Sequence, residues 1–188
     1  MKNIEKYFLV IFLFLPLIQG YSQSQMMKKY ENTGTQSDFL LKTGVSVFPF
    51  NPMLILEDSK VHFALTKEVS VVIRSINLKH KSILNRIGAE YSYIFRDDRN
   101  NHLRLFYSFD YPAYAGDFAA ISLSPGFGYF TDLKKSGVFP QVSTNFFIPV
   151  EDNIAVNIYL KARRSFVFQK NEKDVTDFSL GLGLVFLL

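Results

Sequence analysis

The chain has 188 residues, enough for one ordinary domain, and carries 20 Phe and 10 Tyr but no Trp and no Cys. The missing thiols exclude disulfides and thiolate metal sites, and a mean hydropathy of +0.08 excludes a bundle of membrane helices. The net charge of +4 does not mark a nucleic-acid partner, because Lys and Arg stand singly or in short groups such as Lys28-Lys29, Lys134-Lys135 and Lys161 to Arg164, with no basic helix or zinc-finger spacing.

Residues 1–22 have the three parts of a secretory signal peptide: Lys2 and Lys6, then the apolar run Phe8 to Leu15 extended by Leu17 and Ile18, then small residues at Gly20 and Ser22. Cleavage is expected near Ser22, and the apolar core is shorter than the roughly 20 residues a membrane-spanning helix needs. A polar segment, 23–37, follows. From residue 38 to 188 the sequence repeats one style, in which segments of alternating hydrophobicity are separated by short polar turns.

Leu41, Val45 and Val47 oppose Lys42, Gly44 and Ser46 in the first segment, 39–49. The next, 61–78, reads as one long strand in the phase of Val61, Phe63, Leu65, Val69, Val71 and Ile73, or as two strands around Thr66-Lys67-Glu68. Ile87, Ala89, Tyr91, Tyr93 and Phe95 oppose Arg86, Gly88, Glu90 and Ser92 in 83–96; Leu103, Leu105, Tyr107 and Phe109 oppose Arg104, Phe106, Ser108 and Asp110 in 102–111. Segments 119–130, 137–148 and 153–168 repeat the pattern, the last with Ile154, Val156, Ile158, Leu160 and Ala162 against Asn157, Tyr159, Lys161 and Arg163. In 175–188 Phe178, Leu180, Leu182, Leu184, Phe186 and Leu188 share one face. The count is eight strands. A pairing strand at Met53 to Leu56 would raise it to ten, and Pro125 and Pro140 call for bulges, since each removes a ladder donor.

The polar face mixes Gly and Ser with opposed charges, which suits a narrow interior better than a solvated surface. The apolar face carries Tyr91, Tyr93, Tyr107, Tyr111 and Tyr129, as interfacial girdles do. The expected fold is therefore all-β, an antiparallel up-and-down transmembrane β-barrel of eight strands with apolar residues facing lipid. Leu184→Arg is expected to be costly on that face, and Gly183→Ser on the inner face much milder.

The signal peptide, the amphipathic segments and the final strand together resemble the small bacterial outer-membrane barrels grouped around OmpA, OmpX and OmpW, by pattern over residues 38–188. The resemblance implies a place in the outer membrane, among its lipids and lipopolysaccharide. It also implies that Phe178, Leu180, Leu182, Leu184, Phe186 and Leu188 form the signal read by the barrel-assembly machinery, although Leu188 stands where such proteins usually end in an aromatic residue. No peptidoglycan-binding domain follows, so no cell-wall tether is expected.

Chemistry-bearing residues are sparse. His62, His80 and His102 lack metal-ligand spacing, and His102 and Ser108 share a face about 20 Å apart along a strand. No catalytic, cofactor-binding or metal residue is assigned, and the protein is expected not to be an enzyme. Arg86, Glu90, Arg104, Asp110, Lys161 and Arg163 are expected to fill the lumen as ion pairs, because eight strands leave an interior just wide enough for side chains. Arg164 falls on the apolar face beside Phe166 and Phe168, where its guanidinium would contact lipid phosphates, unless a bulge turns it inward. The expected role is structural or interactive, including accessory subunit of a larger outer-membrane complex with a membrane-protein partner. A narrow channel for small or apolar solutes and a lipid-modifying enzyme are the alternatives.

Overall fold

Alternation at a spacing of two drives each segment into an extended strand, since successive side chains leave a pleated backbone on opposite faces. The computed structural model describes residues 43–188, apart from 75–82, 98–99, 116–118, 152 and 171. The signal peptide 1–22, the polar segment 23–37, Leu41 and His80 lie outside the described residues. Eight strands form: β1 Gly44–Glu57, β2 Lys60–Arg74, β3 Leu84–Ile94, β4 Asn101–Ala115, β5 Ala120–Thr131, β6 Ser136–Glu151, β7 Ile154–Val167 and β8 Val175–Leu187. Neighbours pair antiparallel in chain order and β1 pairs with β8, so the sheet closes into a barrel without edges.

The start of β1 and the end of β8 share the lower rim. At the upper rim, β1 turns into β2 through Asp58 and Ser59, both with positive φ (51° and 63°), the geometry of a two-residue hairpin that follows the twist of the flanking strands.

The structure settles the open strand count at eight. Met53 to Leu56 is the upper half of β1, and Thr66-Lys67-Glu68 lies within β2. β1 runs well past residue 49 because a bulge sets Pro49 and Phe50 opposite one residue of β2. The bulge inverts the phase: Ser46 and Phe48 point inward below it, and Asn51, Met53 and Ile55 above it. The bulges expected at Pro125 and Pro140 are absent. Both residues stay in register between β5 and β6, and each instead coincides with a break in the pairing to its other neighbour. Withholding one N–H interrupts a ladder without inserting a residue.

Apolar side chains lie exposed around the outer wall, including Leu105 at 63%, Leu160 at 64% and Leu182 at 58%. Exposed apolar surface of this extent on a closed sheet is the lipid-facing belt of a membrane barrel. Inside, Ala120, Phe147, Ala155, Val185 and Leu187 close the lower mouth, and Met53, Ile55, Ala64, Ile94 and Val175 pack near the upper one.

Candidate functional site

Inward phase on β3, β4, β7 and β8 brings Glu90, Arg104, Lys161, Arg163 and Asp177 to one level of the lumen, all buried. Arg163 straddles Glu90, donating from Nη2 to Oε1 at 2.7 Å and from Nη1 to Oε2 at 3.0 Å. Arg104 donates to Glu90 Oε1 at 2.9 Å and to Ser92 Oγ at 2.6 Å. The Nε of Arg163 donates to Asp177, and Lys161 bridges Glu68 and Glu90. The Lys161 ammonium also lies 4.5 Å from the ring centre of Tyr159 and 4.8 Å from that of Phe106. Below this cluster Arg86 grips Asp110 Oδ2 through Nε at 3.0 Å and Nη2 at 2.7 Å, and donates to Ser46 and Ser70.

The charges balance. The cations Arg86, Arg104, Lys161 and Arg163 face the carboxylates Glu68, Glu90, Asp110 and Asp177. Charges out of water demand such pairing, since an uncompensated one carries its full desolvation cost. The structure places all six lumen charges read from the sequence inside the barrel. It adds Glu68, whose partner Lys161 lies far away in sequence, and Asp177, which pairs with Arg163 directly across the β7–β8 hairpin and with the distant Arg104. Above the cluster, Glu57 binds Arg96 and Lys135, and Lys135 reaches Glu172 at 3.7 Å, so side chains from three connections meet over the upper mouth. On the exposed rim Lys173 donates to Asp58, and that hydrogen bond holds the Asp58 carboxyl below its ordinary value of 3.8.

Aromatic rings complete the filling by lying over glycines. A Cβ at Gly181 would stand 2.2 Å from the Tyr159 ring, and one at Gly183 would stand 2.4 Å from both Phe48 Cδ1 and the Val47 carbonyl oxygen. The expectation that Gly183→Ser is mild is therefore corrected: the inner face is packed solid there, and Phe48 already holds the space.

His102 is buried in the upper lumen with Nε2 3.3 Å from Arg96 and 3.9 Å from Asp132, and Nδ1 3.4 Å from Arg104. Ser92, its partner on β3, has its hydroxyl engaged with Thr66, Glu90 and Arg104. No serine–histidine pair forms among the described residues, and no group of three His, Asp or Glu there is placed to hold a metal.

On the outer wall Arg164 points away from the lumen with its side chain 61% exposed, 5.6 Å from the Phe166 ring centre and 3.6 Å from Asp174. The bulge that would have turned it inward is absent. Phe178, Leu180, Leu182, Leu184 and Phe186 also face outward, with Leu188 exposed beyond the strand end. No family model and no curated protein matches the sequence. Among solved structures the chain is similar to Neisserial surface protein A (NspA), at 10% identity and a TM-score of 0.65 over 78% of this chain and 97% of that one. It is also similar to the outer membrane enzyme PagL, at 12% identity and a TM-score of 0.50 over 76% of this chain and 99% of that one. The fold is that of a small outer-membrane barrel. At such identities the likeness carries the architecture and no residue roles.

Proposed function

We propose that this chain is a non-enzymatic bacterial outer-membrane barrel with a structural or interaction role, built as an accessory subunit of a larger outer-membrane complex. One observation carries the reading: four cations and four carboxylates neutralise one another in a lumen otherwise filled by rings and closed below by an apolar cluster. A wall so filled leaves its outer surface and rims as the parts that meet other molecules. The turns at Asp58–Ser59 and 132–135 are short, so little protrudes there for an adhesive tip.

The remaining expectations fit the same reading. Export would follow cleavage near Ser22, and the outward row from Phe178 to Leu188 would be the face read by the barrel-assembly machinery. With both barrel ends of the chain in the periplasm, Arg164 lies at the outer-leaflet rim, where a guanidinium matches anionic lipopolysaccharide phosphate. Planar-bilayer recordings test the central claim. The purified barrel is expected to insert without conductance steps, and stable unit conductance would replace the reading with a narrow channel.

A further inference from the structure

The lipid-facing side of β2 carries Val61, Phe63, Leu65, Lys67, Val69, Val71 and Ile73 in succession, every one exposed. Lys67 thus has three apolar residues above it and three below. From Val61 to Ile73 is roughly 40 Å along the strand, or about 30 Å along the membrane normal at a tilt near 40°, so the row covers the whole apolar band. Lys67 sits at its centre, directly across from Tyr91 of β3, which therefore stands on the wall at that height and not in the interfacial girdle expected for it. Its stem reaches roughly 6 Å, against about 12 Å from midplane to either interface, so snorkelling does not bring the ammonium to water or phosphate.

The β1 bulge lies opposite this lysine. Pro49 and Phe50 together face Lys67, and the ammonium stands 5.4 Å from the Phe50 ring centre. The aromatic face shelters the cation without neutralising it. Above the bulge, from Pro52 onward, an outer groove of about 600 Å3 runs across the wall between Leu54, Phe63, Ala162, Phe178 and Leu180. Groove, bulge and central cation occupy one continuous face.

We propose that this face docks a transmembrane segment of a different membrane protein, whose apolar side chains fill the groove and whose Asp or Glu at mid-bilayer height pairs with Lys67. The proposal rests on the accessory-subunit reading and names the partner's chemistry. Charge complementarity selects the occupant. A second copy of this chain cannot supply the carboxylate, because among the described residues the outward-facing acids Asp58, Asp97, Glu151 and Asp174 all stand at the rims. A two-fold dimer through this face would also oppose Lys67 to itself.

Two measurements test it. In phosphatidylcholine vesicles holding only this protein, Lys67→Met is expected to favour the folded state by a factor on the order of 30 or more, since a cation at the midplane is uncompensated there. Equal or weaker folding of that variant overturns the placement. In native outer membranes, a photo-crosslinking residue at Leu65 is expected to yield a protein adduct that Lys67→Arg keeps and Lys67→Met reduces at least tenfold. The adduct's crosslinked peptide is expected to come from a membrane-spanning segment containing Asp or Glu. An adduct indifferent to Lys67→Met, one formed with a second copy or with lipid alone, or no adduct, overturns the docking proposal. Bilayer conductance is the separate readout for the plugged lumen, so failure of one claim is distinguishable from failure of the other.

Discussion

Glu90 is the residue on which the lumen network turns, and Glu90→Gln removes its charge while keeping its volume. The carboxylate is fully buried and accepts hydrogen bonds from Arg104, Arg163 and Lys161. With an amide in its place those three cations face only Glu68 and Asp177, leaving one positive charge uncompensated. Breaking a buried pair by removing one partner costs about 3–5 kcal/mol, so the folded fraction should fall at distinctly lower urea. Arg104→Met leaves the opposite imbalance and should cost a similar amount. The double variant restores neutrality and is expected to recover about half of the summed loss, a coupling of about 3 kcal/mol or more. The assay is a urea titration in lipid vesicles, with folded protein scored by the mobility of unboiled samples. A cost below about 1 kcal/mol for Glu90→Gln, with additive behaviour in the double variant, would mean that water screens the lumen. That result would refute the plugged barrel.

Three further outcomes are expected. Leu182→Arg, near the middle of the outward row of β8, should cost about 2–4 kcal/mol in the same vesicle titration, and Phe186→Arg near the lower rim should cost clearly less. Gly183→Ser should destabilise by about 1–3 kcal/mol through overpacking, with partial rescue by Phe48→Leu measured in the double variant. For topology, Glu172→Cys should react with a membrane-impermeant thiol reagent on intact cells and Asn153→Cys should not; the reverse pattern would invert the orientation.

Strand identity and facing were local properties, legible wherever alternation ran unbroken, as it does from Phe178 to Phe186 and from Ile154 to Ala162. A period of two needs only neighbouring residues, so the sequence alone determined an amphipathic barrel and the inward set Arg86, Glu90, Arg104, Asp110, Lys161 and Arg163. The bulge at Pro49–Phe50 broke that period and hid the upper half of β1. The charged triplet at Thr66-Lys67-Glu68 left a turn open as the alternative to one long strand, because the phase shared by Val61, Phe63, Leu65, Val69, Val71 and Ile73 puts a charge, Lys67, on the apolar face. Only closure of the barrel set Glu68 beside Lys161 and Asp177 beside Arg104, and only ring packing made Gly183 intolerant. Those contacts join strands far apart in the chain, and their energy comes from desolvation and shape. A side chain meets these only once the sheet has curved round upon itself.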